Sequence, residues 1–177
     1  MSEPASRRHF ERLALPHLDA AYNLARWITR NEHNAEDVVQ NAYLRAYRYF
    51  ASFRGENFRA WLFAVVRRAA YDWLQRQRPL EAAVDTDSLA AEIAAPDDPE
   101  LALLHKADVA MLNDMIAALP APFREVIILR ELHEFSYQDI AEITSVPIGT
   151  VMSRLARARG LLVADGKRRL ARERNHG

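Results

Sequence analysis

Apolar residues recur every three to five positions along most of this chain, and no segment shows the period-two alternation of a half-buried strand. Phe10, Leu13, Leu18, Tyr22, Ala25 and Ile28 fall on one face of a helix. The polar run "TRNEHNAEDVVQ" then breaks and restarts the pattern, with Asn34 as the expected N-cap and Glu36 and Asp37 in the first turn, where carboxylates suit the helix dipole. Val39, Tyr43, Ala46 and Phe50 carry that second helix onward. "SFRGEN" reads as a loop hinged at Gly55. Phe58, Trp61, Leu62, Val65, Val66, Ala69 and Trp73 mark a third, long helix ending near Arg76.

Residues 79–100 change character. They are rich in Ala, Asp and Pro, with too few large apolar residues for a core, and they read as a flexible acidic linker. Periodicity resumes with Leu103, Leu104, Ala107, Met111 and Met115, pauses at "LPAPF", and returns with Phe123, Val126, Ile127 and Leu129. The expected fold is all-α: two small helical domains, 1–78 and 101–177, on either side of the linker 79–100.

The densest motif is "FSYQDIAEITSVPIGTVMSRLARARGLL", residues 135–162. Ser136 and Asp139 have the spacing of a capping box, opening a short helix from Tyr137 to about Ile143. Ala141 is small where a second helix must cross, "TSVPIG" turns the chain, and Pro147 sits at the start of the next helix. There Val151, Leu155, Ala158 and Leu162 form the inner stripe, and Ser153, Arg154, Arg157 and Arg159 lie off it. A helix-turn-helix needs this arrangement: an apolar back, and arginines that reach guanine edges or phosphates in the major groove. A solvated hairpin face usually mixes acidic residues with basic ones, and residues 152–160 have none.

Composition sharpens the picture through its distribution. The 24 basic and 24 acidic residues cancel, which by itself argues against a dedicated nucleic-acid binder. Between Arg45 and Arg78, however, eight arginines face only Glu56 and Asp72, and from Arg154 onward eight basic residues face only Asp165 and Glu173. The acidic linker lies between these blocks. With no cysteine, disulfides and thiolate metal sites are excluded, in keeping with a reducing cytosol. The N-terminus lacks an apolar signal segment, and no apolar run approaches the roughly 18 residues of a membrane span. The six histidines show no metal-ligand spacing, and no phosphate loop or nucleophile elbow is present, so neither cofactor nor metal is expected and an enzyme is disfavoured.

"AEDVVQNAYLRAYRYFASFRGENFRAWLFAVVRRAAYDWLQRQR" resembles region 2 of the bacterial extracytoplasmic-function (group IV, sigma-70 family) sigma factors, and "LPAPFREVIILRELHEFSYQDIAEITSVPIGTVMSRLARAR" resembles their region 4. The likeness covers roughly 8–78 and 101–163, in the family's order. It implies a factor that binds core RNA polymerase, directs promoter-specific initiation and is held by an anti-sigma factor, with no membrane insertion of its own. Docking on the polymerase clamp helices would use Asp37, Gln40, Asn41 and Leu44. The non-template strand of the minus-ten element would be read by the loop and helix carrying Phe53, Arg54, Asn57, Arg59, Trp61, Arg67 and Arg68. Aromatics among arginines suit single-stranded DNA, where rings stack on bases and guanidinium groups hold phosphates. Phe58 and Trp61 also lie on the apolar stripe, where core packing explains them equally well. Arg68 stands where many members place an asparagine, which puts the base preference in doubt. The minus-thirty-five element would be read by Arg130, Thr150, Ser153, Ala156 and Arg157, with Arg154 and Arg159 on phosphates. Met152 replaces a common arginine. The acidic linker would thread toward the RNA path or serve as a plain tether.

Two other readings compete. A dimeric repressor would share the helix-turn-helix but leaves the aromatic–arginine loop unexplained. A sigma mimic that only titrates an anti-sigma factor should lack the basic recognition face.

Overall fold

The computed structural model describes residues 3–77 and 99–176; the side chains of 99–107 are outside the description. Every described element is helical, so the all-α expectation holds. The helices are α1 (Glu3–Ala14), α2 (Leu18–Thr29), α3 (Glu32–Tyr49), α4 (Phe58–Gln77), α5 (Pro99–Ala117), α6 (Ala121–Ile127), α7 (Tyr137–Thr144) and α8 (Ile148–His176). Short 3₁₀ turns at Leu15–His17 and Phe50–Ser52 join α1 to α2 and follow α3, and a π-turn at Ile128–Leu132 continues α6. The expected linker falls mostly outside the described residues, and α5 already begins at Pro99, inside the stretch read as linker.

Several local expectations are corrected. The first apolar stripe is two helices, because Pro16 lies in the 3₁₀ turn that separates them. Arg30, left-handed at φ 59°, closes α2. Asn31, not Asn34, then caps α3: its side chain accepts from the Asn34 amide at 3.0 Å. Gly55 is no hinge of positive φ. A Cβ there would lie 3.0 Å from the Phe53 ring, so glycine lets that ring pack closely over the loop without shifting. The Ser136 cap is as expected, with its hydroxyl accepting from the Asp139 amide at 3.0 Å, and Ser145, left-handed at φ 56°, ends α7.

Two apolar clusters hold the molecule. Phe10, Phe50, Phe58 and Leu62 form the smaller, with Phe53 and Trp61 packed against it. The larger runs without a break from Leu24, Val38, Phe63 and Val66 in α2–α4 to Ile128, Phe135, Ile140, Val151 and Leu155 in α6–α8. Helix α4 packs on α7, and α2 meets α6. The two bundles are therefore joined through a shared core. Phe63 of α4 meets Phe135 edge-on at 4.9 Å between ring centroids.

Candidate nucleic-acid interface

Helix α3 turns Ala35, Val38, Val39, Ala42 and Ala46 inward. Residues three and four apart share a helix face, so Asp37, Gln40, Asn41 and Leu44 are left together on the outside, all exposed. Leu44, at 65%, is the most exposed large apolar side chain among the described residues. Beside it, a groove of about 1000 Å³ between α1, α2 and α3 is lined by Phe10, Leu18, Tyr22, Val39, Tyr43 and Leu44 together with Glu3, Asp19, Glu36 and the paired Arg7 and Glu11. Such a surface suits a helix that is apolar on one side and basic on its flanks.

The candidate minus-ten residues divide into three groups. Phe53 and Trp61 pack together at 5.1 Å between ring centroids and lean on Phe58, so both contribute to the core. Arg54 and Arg68 are exposed, and Arg54 donates to the carbonyls of Ala51 and Phe53 in its own loop. Asn57, Arg59 and Arg67 are turned against the other bundle. Asn57 caps α4 by accepting from the Ala60 amide, while its Nδ2 donates to Asp139 at 2.9 Å. Arg59 donates to the His133 carbonyl at 2.6 Å and lies over the Phe135 ring, 4.1 Å from its centroid. Arg67 makes a two-pronged ion pair with Glu125, whose side chain is only 3% exposed, and lies 4.7 Å over the Tyr71 ring.

The minus-thirty-five candidates are presented more openly. Val151, Leu155 and Ala158 are buried, which leaves Met152, Ser153, Ala156 and Arg157 exposed along one side of α8. Thr150 and Arg154 are half-buried. Arg130 sits in the π-turn, donates to the Phe135 carbonyl at 2.8 Å and lies over the Tyr137 ring at 4.7 Å. Arg159 pairs with Glu131 at 2.9 Å, tying α8 to the π-turn. Arg130 and Arg159 thus brace the helix-turn-helix, whereas Arg157 projects from it.

Reading the sequence missed the partners in the second bundle: Glu125, His133, Phe135 and the carboxylate of Asp139. The Asp139 side chain, expected to complete a capping box, takes a hydrogen bond from Asn57, the residue that caps α4, instead. His133 is buried with its Nε2 unpartnered, and burial, helped by the nearby Arg59 charge, lowers its pKa to about 4. The π-turn, a feature frequent at functional positions, brings His133 and Phe135 to this junction. A glutamate in an apolar helix, "FREVIILREL", was the one available signal, since a buried carboxylate needs a cation.

Known proteins can now be set beside this geometry. The family described as Sigma-70 region 2 matches residues 13–79, and that described as Sigma-70, region 4 matches residues 110–162. An ECF RNA polymerase sigma-E factor of Haemophilus influenzae is 37% identical over 147 residues, covering 78% of this chain and 77% of that protein. The RNA polymerase sigma-H factor of Pseudomonas aeruginosa is 33% identical, covering 86% and 83%. Among solved structures, the sigma factor RpoE of Bartonella quintana in complex with the anti-sigma factor NepR matches with a TM-score of 0.73 at 29% identity, over 88% of this chain and 94% of that one. CnrH in complex with the cytosolic domain of CnrY matches with a TM-score of 0.62 at 26% identity, over 89% and 87%. With both regions matched in order, and relatives of this identity covered over most of their length, the chain belongs to the extracytoplasmic-function group of the sigma-70 family.

Proposed function

We propose that the chain is an alternative sigma factor that seats on core RNA polymerase through α3 and reads promoter DNA with α4 and α8. The observation that carries this reading is the pair of exposed faces built on one scaffold: Asp37, Gln40, Asn41 and Leu44 on α3, and Ser153, Ala156 and Arg157 on α8. The first suits a protein partner, the second duplex DNA. The factor regulates and does not catalyse. Zero net charge fits this division, since polymerase supplies much of the nonspecific attraction to DNA. The solved relatives are held by anti-sigma proteins, and an anti-sigma partner is proposed here too. No helix among the described residues is long and apolar enough to cross a membrane. The factor works in the cytoplasm, and any retention at a membrane comes through the anti-sigma partner.

Run-off transcription with bacterial core polymerase and a promoter library tests the reading. Start-site-directed transcripts should depend on the added chain. Asp37→Ala and Gln40→Ala should weaken core binding, while Arg157→Ala should reduce transcripts with core binding intact. Loss of core binding in Arg157→Ala would overturn the separation of roles.

A further inference from the structure

Two surfaces of this chain match each other in apolar content and oppose each other in charge. The groove between α1, α2 and α3 is lined by Phe10, Leu18, Tyr43 and Leu44 and edged by carboxylates. Glu11 is paired with Arg7, whereas Glu3, Asp19 and Glu36 enter different circumstances: Glu3, Asp19 and Glu36 make no ion pair among the described residues. The complementary surface is the C-terminal arm of α8, residues 163–176, which runs past the residues matched to region 4. Val163, Lys167, Leu170 and Arg174 recur at steps of four, three and four, so they share one face. Val163 is 57% and Leu170 54% exposed, and Lys167 and Arg174 are exposed beside them. Asp165 pairs back along the helix with Arg168 and Arg169, which leaves Glu173 alone against Lys167, Arg172 and Arg174. We propose that the α8 arm of one copy seats in the α1–α3 groove of a second copy. Val163 and Leu170 meet the apolar lining, and Lys167 and Arg174 meet the carboxylates.

Charge selects this occupant within the chain. The linker 79–100 carries seven carboxylates and no basic residue, so it would meet like charge in the groove. The groove is lined by residues between 3 and 47 alone, so the arm of the same chain does not fill it. From Leu170 to His176 every residue of α8 is exposed. A helix end without packing is marginal in water, and the groove supplies that packing. The stretch Val163–Leu170 is about 10 Å of helix. A contact of this size is weak and reversible. Gln40 and Leu44 line the same groove, so a filled groove and a seated polymerase exclude one another; this consequence rests on the docking role given to α3 above.

Sedimentation of the full chain at rising concentration tests the contact. The weight-average mass should climb about twofold or more by mass action, and added salt should lower it. Two charge-reversed variants follow, each checked for unchanged helicity by circular dichroism. Asp19→Lys with Glu36→Lys on the groove, and Lys167→Glu with Arg174→Glu on the arm, should each be monomeric alone. Mixed in equal amounts they should associate again, because every arm then has a groove of opposite charge. A parent chain that stays monomeric throughout would overturn the proposal, and so would association that survives unchanged in both variants. A monomeric parent whose arm variant loses core polymerase would instead assign the arm to polymerase. Core polymerase added to the associated parent should release single copies. If it binds the associated form without releasing copies, the docking role of α3 falls while the arm-and-groove contact stands.

Discussion

Helices α4 and α8 both present arginines in a basic stretch, yet the molecule uses them in opposite ways. On α4, Arg59 and Arg67 spend their donors inside the protein, on a carbonyl and a buried carboxylate. On α8, Arg157 stands exposed above a buried stripe of Val151, Leu155 and Ala158. Local sequence around the two is similar in charge and periodicity. What differs is whether a distant acidic residue is brought opposite. A basic stripe therefore establishes that guanidinium groups exist, and tertiary pairing decides which of them are free to meet DNA.

The contrast can be broken most forcefully by the same truncation on each helix. Arg67→Ala leaves the Glu125 carboxylate buried and alone, a loss on the order of 3–5 kcal/mol, whereas Arg157→Ala at an exposed site should change stability by less than about 0.5 kcal/mol. Urea unfolding at pH 7 measures both; equal effects would contradict the different roles. In DNA binding the order should reverse. Arg157→Ala should cost about 1–3 kcal/mol of discrimination at one minus-thirty-five position, read by competition between matched and mismatched duplexes on the holoenzyme.

A third, smaller effect comes from His133. Its ring faces Phe63 at 5.2 Å and lies near the Arg59 charge. Released to water it takes a proton near its ordinary pKa of 6.5, and in place only near about 4. Above 6.5 the ring is neutral in both forms, and its contribution is fully present. As pH falls from 6.5 toward 4 the released form gains the proton first, and the fold loses stability. From pH 7 to 5.5 the loss should be about 1 kcal/mol, and His133→Phe should flatten that part of the pH–stability curve. An unchanged slope in the variant would assign the pH dependence to other groups. A fourth, modest effect belongs to Arg159→Ala. Its pair with Glu131 is roughly half exposed on both sides, so stability should fall by less than about 1 kcal/mol. The salt dependence of promoter binding should stay unchanged, and a salt slope lower by about one unit would return Arg159 to the phosphate contacts.

Elements written in local signals were legible. The span of α4 follows from Phe58, Leu62, Val66 and Ala69 at helical spacing, and the start of α7 from Ser136. The inner stripe of α8 and its outward Arg157 follow from the same reasoning. Where two neighbours offered the same chemistry the choice was open, as with Asn31 and Asn34 at the start of α3, and the backbone settled it. Pro16 marked a break that the continuous apolar stripe concealed. Apart from Glu125 in its apolar helix, the junction of the two bundles left no local trace, because Asn57 and Asp139 are partners 82 residues apart. Both residues also had satisfactory local explanations, as loop and cap.

The most direct measurement is arginine-selective modification with a phenylglyoxal reagent, read residue by residue by mass spectrometry. It compares the free factor with the factor bound to core polymerase and promoter DNA. In the free factor, Arg157 should be modified readily while Arg59, held by the His133 carbonyl, and Arg67, held by Glu125, are protected; once polymerase and the promoter are engaged, Arg157 should become protected as well. Modification of Arg59 and Arg67 in the free factor as fast as Arg157 would contradict the account.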